Sequence, residues 1–389
     1  MKRPPREVLG WYGGPWQPPY FPPGPEPPDR KHTEPDTAVF GPPDQRDLAH
    51  VGVVLGRFYP PHVGHRYLVE RAFAQCGILH VLSPQPGNHL AFQLHKDGVE
   101  AAFADRAWVQ TISTSDFSLS HDPTDNDFAK PWAKMVRDVV SNVTRVFSSD
   151  RVGAPLVAEA LGAEHVLIDP DRSMFPVSSS QIRADPYRMF NAIAPDARSL
   201  YAVHVGIVGA EGSGKTTLAH EIAAAIGATV VTDPLRAEVE RTGAVPSAAA
   251  FADAIVHAHD RRAEGAAQNK TGVVVVDHSV MQTRLWAARL GVELPPPARL
   301  PGAEYFDLWI VCHGDFAFDA PPERDDPVAR ARLAAAVDEH LRFVSSAGAG
   351  RKRVDITGSD GPARVRQALD AIADVRERKR LELMRAFSG

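Results

Sequence analysis

Two glycine-bearing turns, each directly after an apolar run and directly before a helical pattern, constrain this 389-residue chain more than any other feature. The first lies in Val51-Gly-Val-Val-Leu-Gly-Arg-Phe-Tyr-Pro-Pro-His-Val-Gly-His65, where His62 and His65 stand three apart. The second is Gly209-Ala-Glu-Gly-Ser-Gly-Lys-Thr216, after the apolar run Ala202–Val208. A strand that ends in such a turn and hands over to a helix offers backbone N–H groups and the positive end of the helix dipole to an anion. Two of them in one chain predict two α/β units with parallel sheets and crossover helices.

The order of apolar runs and helical patterns agrees. Val51–Leu55 and Ile78–Ser83 read as strands, Tyr67–Gln75 and Asp105–Ser113 as helices, and Thr144–Ser148 and His165–Ile168 as later strands. A Rossmann-like unit is the economical fold for this block. A second α/β unit, of P-loop NTPase type, starts with Ala202–Val208, the loop and a helix at Thr216–Ile226, and continues with strands Val273–Val276 and Leu308–Val311. Asp185–Arg198, with Pro186 and Pro195, reads as a short helical connector. Pro362–Phe387 reads as an amphipathic helix whose Arg and Lys side chains form a solvated face. The expected division is a tail over residues 1–45, one domain over 46–198 and another over 199–389.

Roughly a third of the 34 prolines sit in that tail. Proline lacks a backbone donor and fixes φ, so helix and sheet interiors are excluded there, and a polyproline-like or disordered segment is expected. Trp11, Tyr12, Trp16, Tyr20 and Phe21 would suit docking; the alternative is an uncommitted tail. It carries no amphipathic helix pair, which gives DNA binding no support. A net charge of -5 likewise argues against a nucleic-acid partner. No apolar stretch approaches the roughly 20 residues that span a bilayer, so no membrane partner is expected. Met1-Lys-Arg-Pro-Pro-Arg lacks the apolar core of a secretory signal. Cys76 and Cys312 are too few for a disulfide framework or a zinc cluster. A cytoplasmic enzyme fits these bounds, and the sequence leaves room for a homo-oligomer.

At the first turn, Gly64 lets the backbone approach a phosphate closely. His62 and His65 would donate hydrogen bonds to phosphate oxygens as charge builds on a leaving pyrophosphate. A second clamp is expected in Val177-Ser-Ser-Ser-Gln-Ile-Arg183: Ser178, Ser179 and Ser180 start a helix and supply hydroxyl and N–H donors, and Arg183 can fork onto a phosphate. At the second turn, the backbone over Glu211–Lys215 would cradle a β-phosphate. Gly209, Gly212, Ser213, Gly214, Lys215, Thr216 and Thr217 form this ATP-binding set, with Lys215 bridging the β- and γ-phosphates and Thr216 on Mg²⁺. Asp277 ends an apolar strand and suits a carboxylate near Mg²⁺ or the acceptor hydroxyl.

With His-x-Gly-His followed by Ser-Ser-Ser-Gln-Ile-Arg, the front half resembles the nucleotidylyltransferase superfamily. The longer string from Gly56 to Ala72, Phe147-Ser-Ser-Asp150, Gly162-Ala-Glu-His-Val-Leu-Ile-Asp-Pro-Asp-Arg172 and the P-loop that follows resemble the NadR family. Its members fuse a nicotinamide mononucleotide (NMN) adenylyltransferase to a ribosylnicotinamide kinase. The resemblance covers residues 48 to 345 and implies ATP, NMN and ribosylnicotinamide as small-molecule substrates, Mg²⁺ as cofactor, and a role in NAD biosynthesis and salvage. It implies that Gly56 and Arg57 reach phosphate, that Phe58 packs beneath the nucleotide, and that the Ser148-Ser-Asp150 turn lies near the adenine ribose. It places Trp132 where the nicotinamide ring is received; a core tryptophan is the equal alternative. In the second half the resemblance implies substrate-binding roles for Asp233, standing in for a family glutamate, for Arg236, and for Arg324, where a lid arginine is expected. Two departures stand out: Asp277-His278-Ser279 replaces Asp-Thr-Asp, and Thr232-Asp-Pro-Leu-Arg236 replaces Trp-Glu-Tyr-Ala-Arg. The second domain would then phosphorylate ribosylnicotinamide, take another acceptor, or sense ATP. Nucleotidyl transfer to phosphopantetheine or glycerol phosphate is a rival for the first half, and a nucleotide-responsive regulator is a rival for the whole.

Overall fold

β-Branched and aliphatic runs build two five-stranded, all-parallel sheets. The computed structural model describes residues 48–85, 89–113, 119–120, 122–294, 305–314, 327–346 and 352–388, so the tail and Arg324 lie outside it. The first unit runs β1 (Val51–Leu55), α1 (Val63–Phe73), β2 (Ile78–Gln85), α2 (His89–Phe103), β3 (Trp108–Ser113), α3 (Ala129–Val139), β4 (Arg145–Ser148), α4 (Gly153–Leu161), β5 (Glu164–Leu167), α5 (Ser179–Ala184) and α6 (Arg198–Tyr201). Its strand order is β3-β2-β1-β4-β5. The direction of winding therefore reverses between β1 and β4, and the crevice beyond the carboxyl ends of such a pair is where open α/β sheets bind ligands. Val53, Val54, Leu82 and Val146 are fully buried around this seam.

The second unit runs β6 (Val203–Gly209), α7 (Lys215–Ile226), β7 (Thr229–Val231), α8 (Pro234–Thr242), α9 (Ala248–Val256), α10 (Ala258–Gln268), β8 (Val273–Val276), α11 (Val280–Arg289), β9 (Leu308–Cys312), α12 (Pro327–Ser346), β10 (Lys352–Ile356) and α13 (Gly361–Ser388). The order is β10-β9-β6-β8-β7. β6 is buried along its whole length, between β8 and β9. The turn after β6 and Asp277 after β8 thus emerge from neighbouring strand ends. Among the described residues no helix is long and apolar enough to cross a membrane.

The stretch expected as a helix at 105–113 is instead the edge strand β3, paired with β2 from His80↔Trp108 to Gln85↔Ser113. Its Trp-Val-Gln-Thr-Ile core is aromatic and β-branched, and burial alternates, with Trp108 and Gln110 exposed and Val109 and Thr111 half-buried. That is a period of two, the property of a strand with one covered face. The crossover helix is the preceding α2. The connector at 185–198 is shorter in helix than expected, with single 3₁₀ turns at Phe190–Ala192 and Pro195–Ala197.

The chain does not divide at one point near residue 198. Residues 266–272 and those from 377 onward belong with the first unit, and 203–265 and 273–376 form the second. Buried Arg198 explains the first exchange: its guanidinium donates to the carbonyls of Ile193 (3.1 Å), Ala267 (2.6 Å), Asn269 (3.2 Å) and Asn191 (2.7 Å). Lys379 Nζ donates to Ala202 O at 2.5 Å and helps account for the second. α13 also departs from the expected solvated face. Its Arg364 is buried and donates to the carbonyls of Ser213 (2.7 Å), His313 (3.1 Å) and Gly358 (3.0 Å).

Gly209 closes β6 at φ 149°, and a Cβ there would lie 2.3 Å from Cys312 O. Gly209→Ala should therefore destabilise the second unit by about 2 kcal/mol, because neither the backbone angle nor the β9 carbonyl can give way cheaply. Urea unfolding followed by Trp fluorescence measures it; an unchanged midpoint would remove the close approach as a constraint.

Candidate functional site

The first site is assembled at the carboxyl end of β1. Gly56 to His62 form a loop in which Phe58 has φ 43° and the Tyr59–Pro60 peptide is cis. Phe58 is buried, with its ring so close over Gly56 that a Cβ there would meet it at 2.7 Å. The same ring meets His65 and Phe103 edge-on, at 4.9 and 5.2 Å. Arg57 is exposed. His62 caps α1: its Nδ1 accepts from the His65 backbone N at 3.3 Å. One of the helix donors expected to face a phosphate is thereby engaged. The accepting Nδ1 leaves the His62 proton on Nε2. The His62 and His65 rings stack at 3.5 Å, 20° from parallel, and Gly64 turns the chain beside the His62 ring.

The serine-rich turn meets this loop directly. Ser178 is the N-cap of α5 in a reciprocal capping box with Gln181. Ser179 Oγ donates to Pro60 O at 3.1 Å. Arg183 Nη1 donates to Tyr59 O at 2.6 Å, and its Nη2 donates to Ser180 Oγ at 3.0 Å. Residues 119 and 124 positions apart thus meet at the loop that leads from β1 into His62 and His65.

Burial keeps the imidazoles neutral. Desolvation first, then the positive charge of Arg172, lowers His62 from 6.5 to about 4. Burial, together with His62 and Arg172, holds His65 well below its ordinary value. Neutral rings donate N–H groups without charge repulsion, and an incoming phosphate would favour their protonation.

Sequence reasoning passed over what holds the loop from below. Ser83, at the end of β2, is buried and donates to the carbonyls of Gly56 (3.0 Å) and Arg57 (3.1 Å). His95 Nε2 lies 2.7 Å from Ser83 Oγ, and burial drives this imidazole down to about 3. A lone serine after Ile78–Leu82 and a histidine in mid-helix carry no local pattern that marks them. The Ser148-Ser-Asp150 turn serves its own surroundings: Asp150 accepts from the N–H groups of Val152, Gly153 and Ala154, starting α4, and Ser149 Oγ donates to Ile168 O. Trp132 is half-buried on α3, with Nε1 donating to Ser120 O at 3.0 Å.

The second site follows β6. Gly212 and Gly214 take φ of 73° and 79°, left-handed angles that favour glycine. Lys215 starts α7 with its ammonium on the carbonyls of Gly209 (3.0 Å) and Ala210 (2.8 Å), and burial lowers its pKa against the pull of Asp277. Ser213 Oγ donates to Ala210 O at 2.8 Å. Thr216 Oγ1 donates to Asp277 Oδ2 at 2.6 Å, while Arg236 Nη1 donates to the same hydroxyl at 2.7 Å. Burial raises the Asp277 pKa, opposed by Thr216 and Lys215. Its Oδ1 is buried with no hydrogen-bond partner among the described residues. A hydroxyl beside a carboxylate that keeps a spare oxygen is a hard-oxygen donor pair suited to Mg²⁺.

The acceptor residues expected from sequence divide. Arg236 is drawn to Thr216 rather than held apart from it. Asp233 caps α8, accepting from Leu235 N at 3.0 Å, and lies 3.6 Å from His278 Nδ1. Burial keeps His278 below its ordinary pKa. A small cleft lined by Thr232, Pro234, Arg261, Arg262, His278 and Thr283 lies alongside. Gln282 Nε2 on Gly209 O (2.9 Å) and Arg289 on Glu211 (2.6 Å) brace the turn from α11.

These features define a two-unit α/β protein whose second sheet carries a P-loop. The comparisons agree at that level. The AAA domain family matches residues 204–357. Over 192 residues the chain is 28% identical to the trifunctional NAD biosynthesis/regulator protein NadR of Salmonella typhimurium, covering 46% of this chain and 47% of that one. The Escherichia coli protein of the same name is 29% identical over 201 residues, again 46% and 47%. The chain thus spans about half the length of the curated relatives it matches. A crystal structure of NadR protein in complex with NR superposes with TM-score 0.56 at 18% identity, over 85% of this chain and 96% of that one. One in complex with NAD and AMP-PNP gives 0.55, also at 18%, over 84% and 96%. The fold is similar to NadR.

The folded pKa of His62, about 4, and that of His95, about 3, lie below the ordinary 6.5. Between those values and 6.5 the unfolded chain binds protons that the folded chain refuses. Stability present above about pH 6.5 should therefore be lost as pH falls toward 4. Urea midpoints at pH 7.0 and 5.0 test this, and the difference should shrink in His95→Gln. Equal midpoints would mean that these rings are not buried neutral.

Proposed function

We propose that the first unit, a Rossmann-like nucleotidylyltransferase domain, transfers the adenylyl group of ATP to NMN, releasing NAD and pyrophosphate. The second unit would be a P-loop kinase that makes NMN from ribosylnicotinamide and ATP. The observation that carries this reading is that Ser179 and Arg183 of the serine-rich turn bond the very loop that leads from β1 to the stacked His62 and His65. The NadR relatives' names, and the NadR structures holding NR, NAD and AMP-PNP, support NAD-related nucleotide chemistry.

Adenylyl transfer needs no protein nucleophile. The NMN phosphate attacks the α-phosphorus of ATP in line, and pyrophosphate leaves, so the protein's contribution is positioning and charge stabilisation. Neutral His62 and His65 would donate to oxygens of the leaving pyrophosphate, and Arg183 would fork onto a phosphate from the other wall. Gly56, Arg57 and Gly64 would bring the loop against ATP. In the second unit Lys215 would reach the β- and γ-phosphates, with Thr216 and Asp277 holding Mg²⁺, whose charge would offset that of the transferring phosphoryl group.

A second reading of the P-loop unit is favoured by one observation. Arg236 bonds Thr216, and Ser279, the N-cap of α11, stands where the family carries its second acid, so the unit would take another acceptor or sense ATP.

Incubating the protein with ATP, Mg²⁺ and ribosylnicotinamide should yield NMN and NAD. NAD formed only when NMN is supplied would favour the second reading, and no NAD from NMN would sink the first. His65→Ala should lower kcat for NAD formation by about 10²-fold while the Kd for NMN moves little, since its bond strengthens only as charge develops. Unchanged turnover would remove that role. Lys215→Ala should abolish NMN formation yet leave NAD formation from NMN near the wild-type rate. A large loss there would mean the two activities share a site.

A further inference from the structure

Tyr59 sits between Arg57 and His62 in the loop after β1, and it is held on three sides. Its carbonyl accepts from Arg183 at 2.6 Å. Its ring meets His95 edge-on at 4.9 Å, and His95 is the partner of Ser83, which holds the carbonyls of Gly56 and Arg57. The third hold comes from the last turn of α13. The Tyr59 hydroxyl donates to Ala386 O at 3.0 Å, across 327 positions of sequence. The Phe387 ring stands against Tyr59 at 5.0 Å and 88°, and against fully buried Tyr201 at 6.2 Å. Phe387 is itself only 9% exposed. Burial pushes the Tyr59 phenol up to about 12, so the hydroxyl keeps its proton and remains a donor at any working pH.

We propose that Phe387, with the Ala386 carbonyl, is a positioning element of the first site: the last turn of α13 sets where Tyr59 stands, and Tyr59 sets the Arg57–His62 loop and the anchor of Arg183. The inference rests on the adenylyl-transfer reading for its kinetic consequence but not for its structural one. A loop that loses one of three holds spends part of its time away from this geometry. Apparent ATP affinity then falls by the fraction of time the loop is competent, whereas the bound complex, once formed, turns over as before. A residue that only stabilised the fold would lower the melting temperature without separating KM from kcat.

The test uses the full chain with Phe387→Ala, Phe387→Leu and Tyr59→Phe. For Phe387→Ala the KM for ATP in NAD formation should rise about tenfold, with kcat within about twofold. Phe387→Leu, which refills most of the volume, should recover most of that KM. Tyr59→Phe removes only the hydroxyl bond and should raise KM by a smaller factor. Amide hydrogen exchange should quicken over residues 56–62 in Phe387→Ala and stay unchanged over β1. An unchanged KM with unchanged exchange overturns the proposal. So does faster exchange throughout the first unit with KM and kcat worsening together, the mark of a merely structural residue. If the wild-type chain makes no NAD at all, the adenylyl-transfer reading falls, and exchange over residues 56–62 decides the positioning on its own.

Discussion

A phosphate needs donors that are already in place, and in both units a central parallel strand would supply them by ending in a turn its neighbours hold. β1 stops between β2 and β4, and β6 between β8 and β9. β6 is buried along its whole length and β1 through its three central residues, which fixes where each turn begins, and a helix follows each turn. The rest of each site consists of side chains from other elements that close on that turn: Arg183 and Ser179 in the first unit, Asp277, Gln282 and Arg364 in the second.

Burial then sets the charge of these side chains. His62, His65 and Lys215 are pushed toward their neutral forms and Asp277 toward its protonated one. The imidazoles and Lys215 would meet a polyanion at low desolvation cost and gain charge from its field, whereas Asp277 would ionise only against a cation. The two units differ in what they do with a neighbouring arginine. In the first, Arg183 is fastened to a backbone carbonyl and a serine hydroxyl. In the second, Arg236 is fastened to the hydroxyl that a cation would take, beside the departures at Asp233 and His278.

Much of the fold could be read locally. The apolar runs at β1, β2, β4, β6, β8 and β9 and the helical patterns after both turns are properties of short windows, because strand and helix periods are written in adjacent residues. The error at 105–113 has the same origin: its five or six strand residues sit beside the helical end of α2, and β3 owes its state to pairing with β2. The charges of α13 are not legible in this way, because a solvated arginine and a buried one look alike in sequence. Only the carbonyls of Ser213, His313 and Gly358 make Arg364 an internal residue.

The sequence by itself determined the two glycine-bearing turns as candidate phosphate sites, since glycine, histidine, lysine and threonine at close spacing dictate backbone angle and donor placement without help from distant chain. It also named His62, His65 and Arg183 as members of one candidate site, through resemblance and residue chemistry rather than through any contact it could display. Tertiary structure alone decided what holds those turns still: Ser83 and His95 beneath the first, Ala386 and Phe387 beside Tyr59, Arg236 on Thr216. These are contacts between residues tens to hundreds of positions apart, each an ordinary serine, tyrosine or phenylalanine in its own window. Their roles exist only once folding removes water from around them and leaves one another as partners.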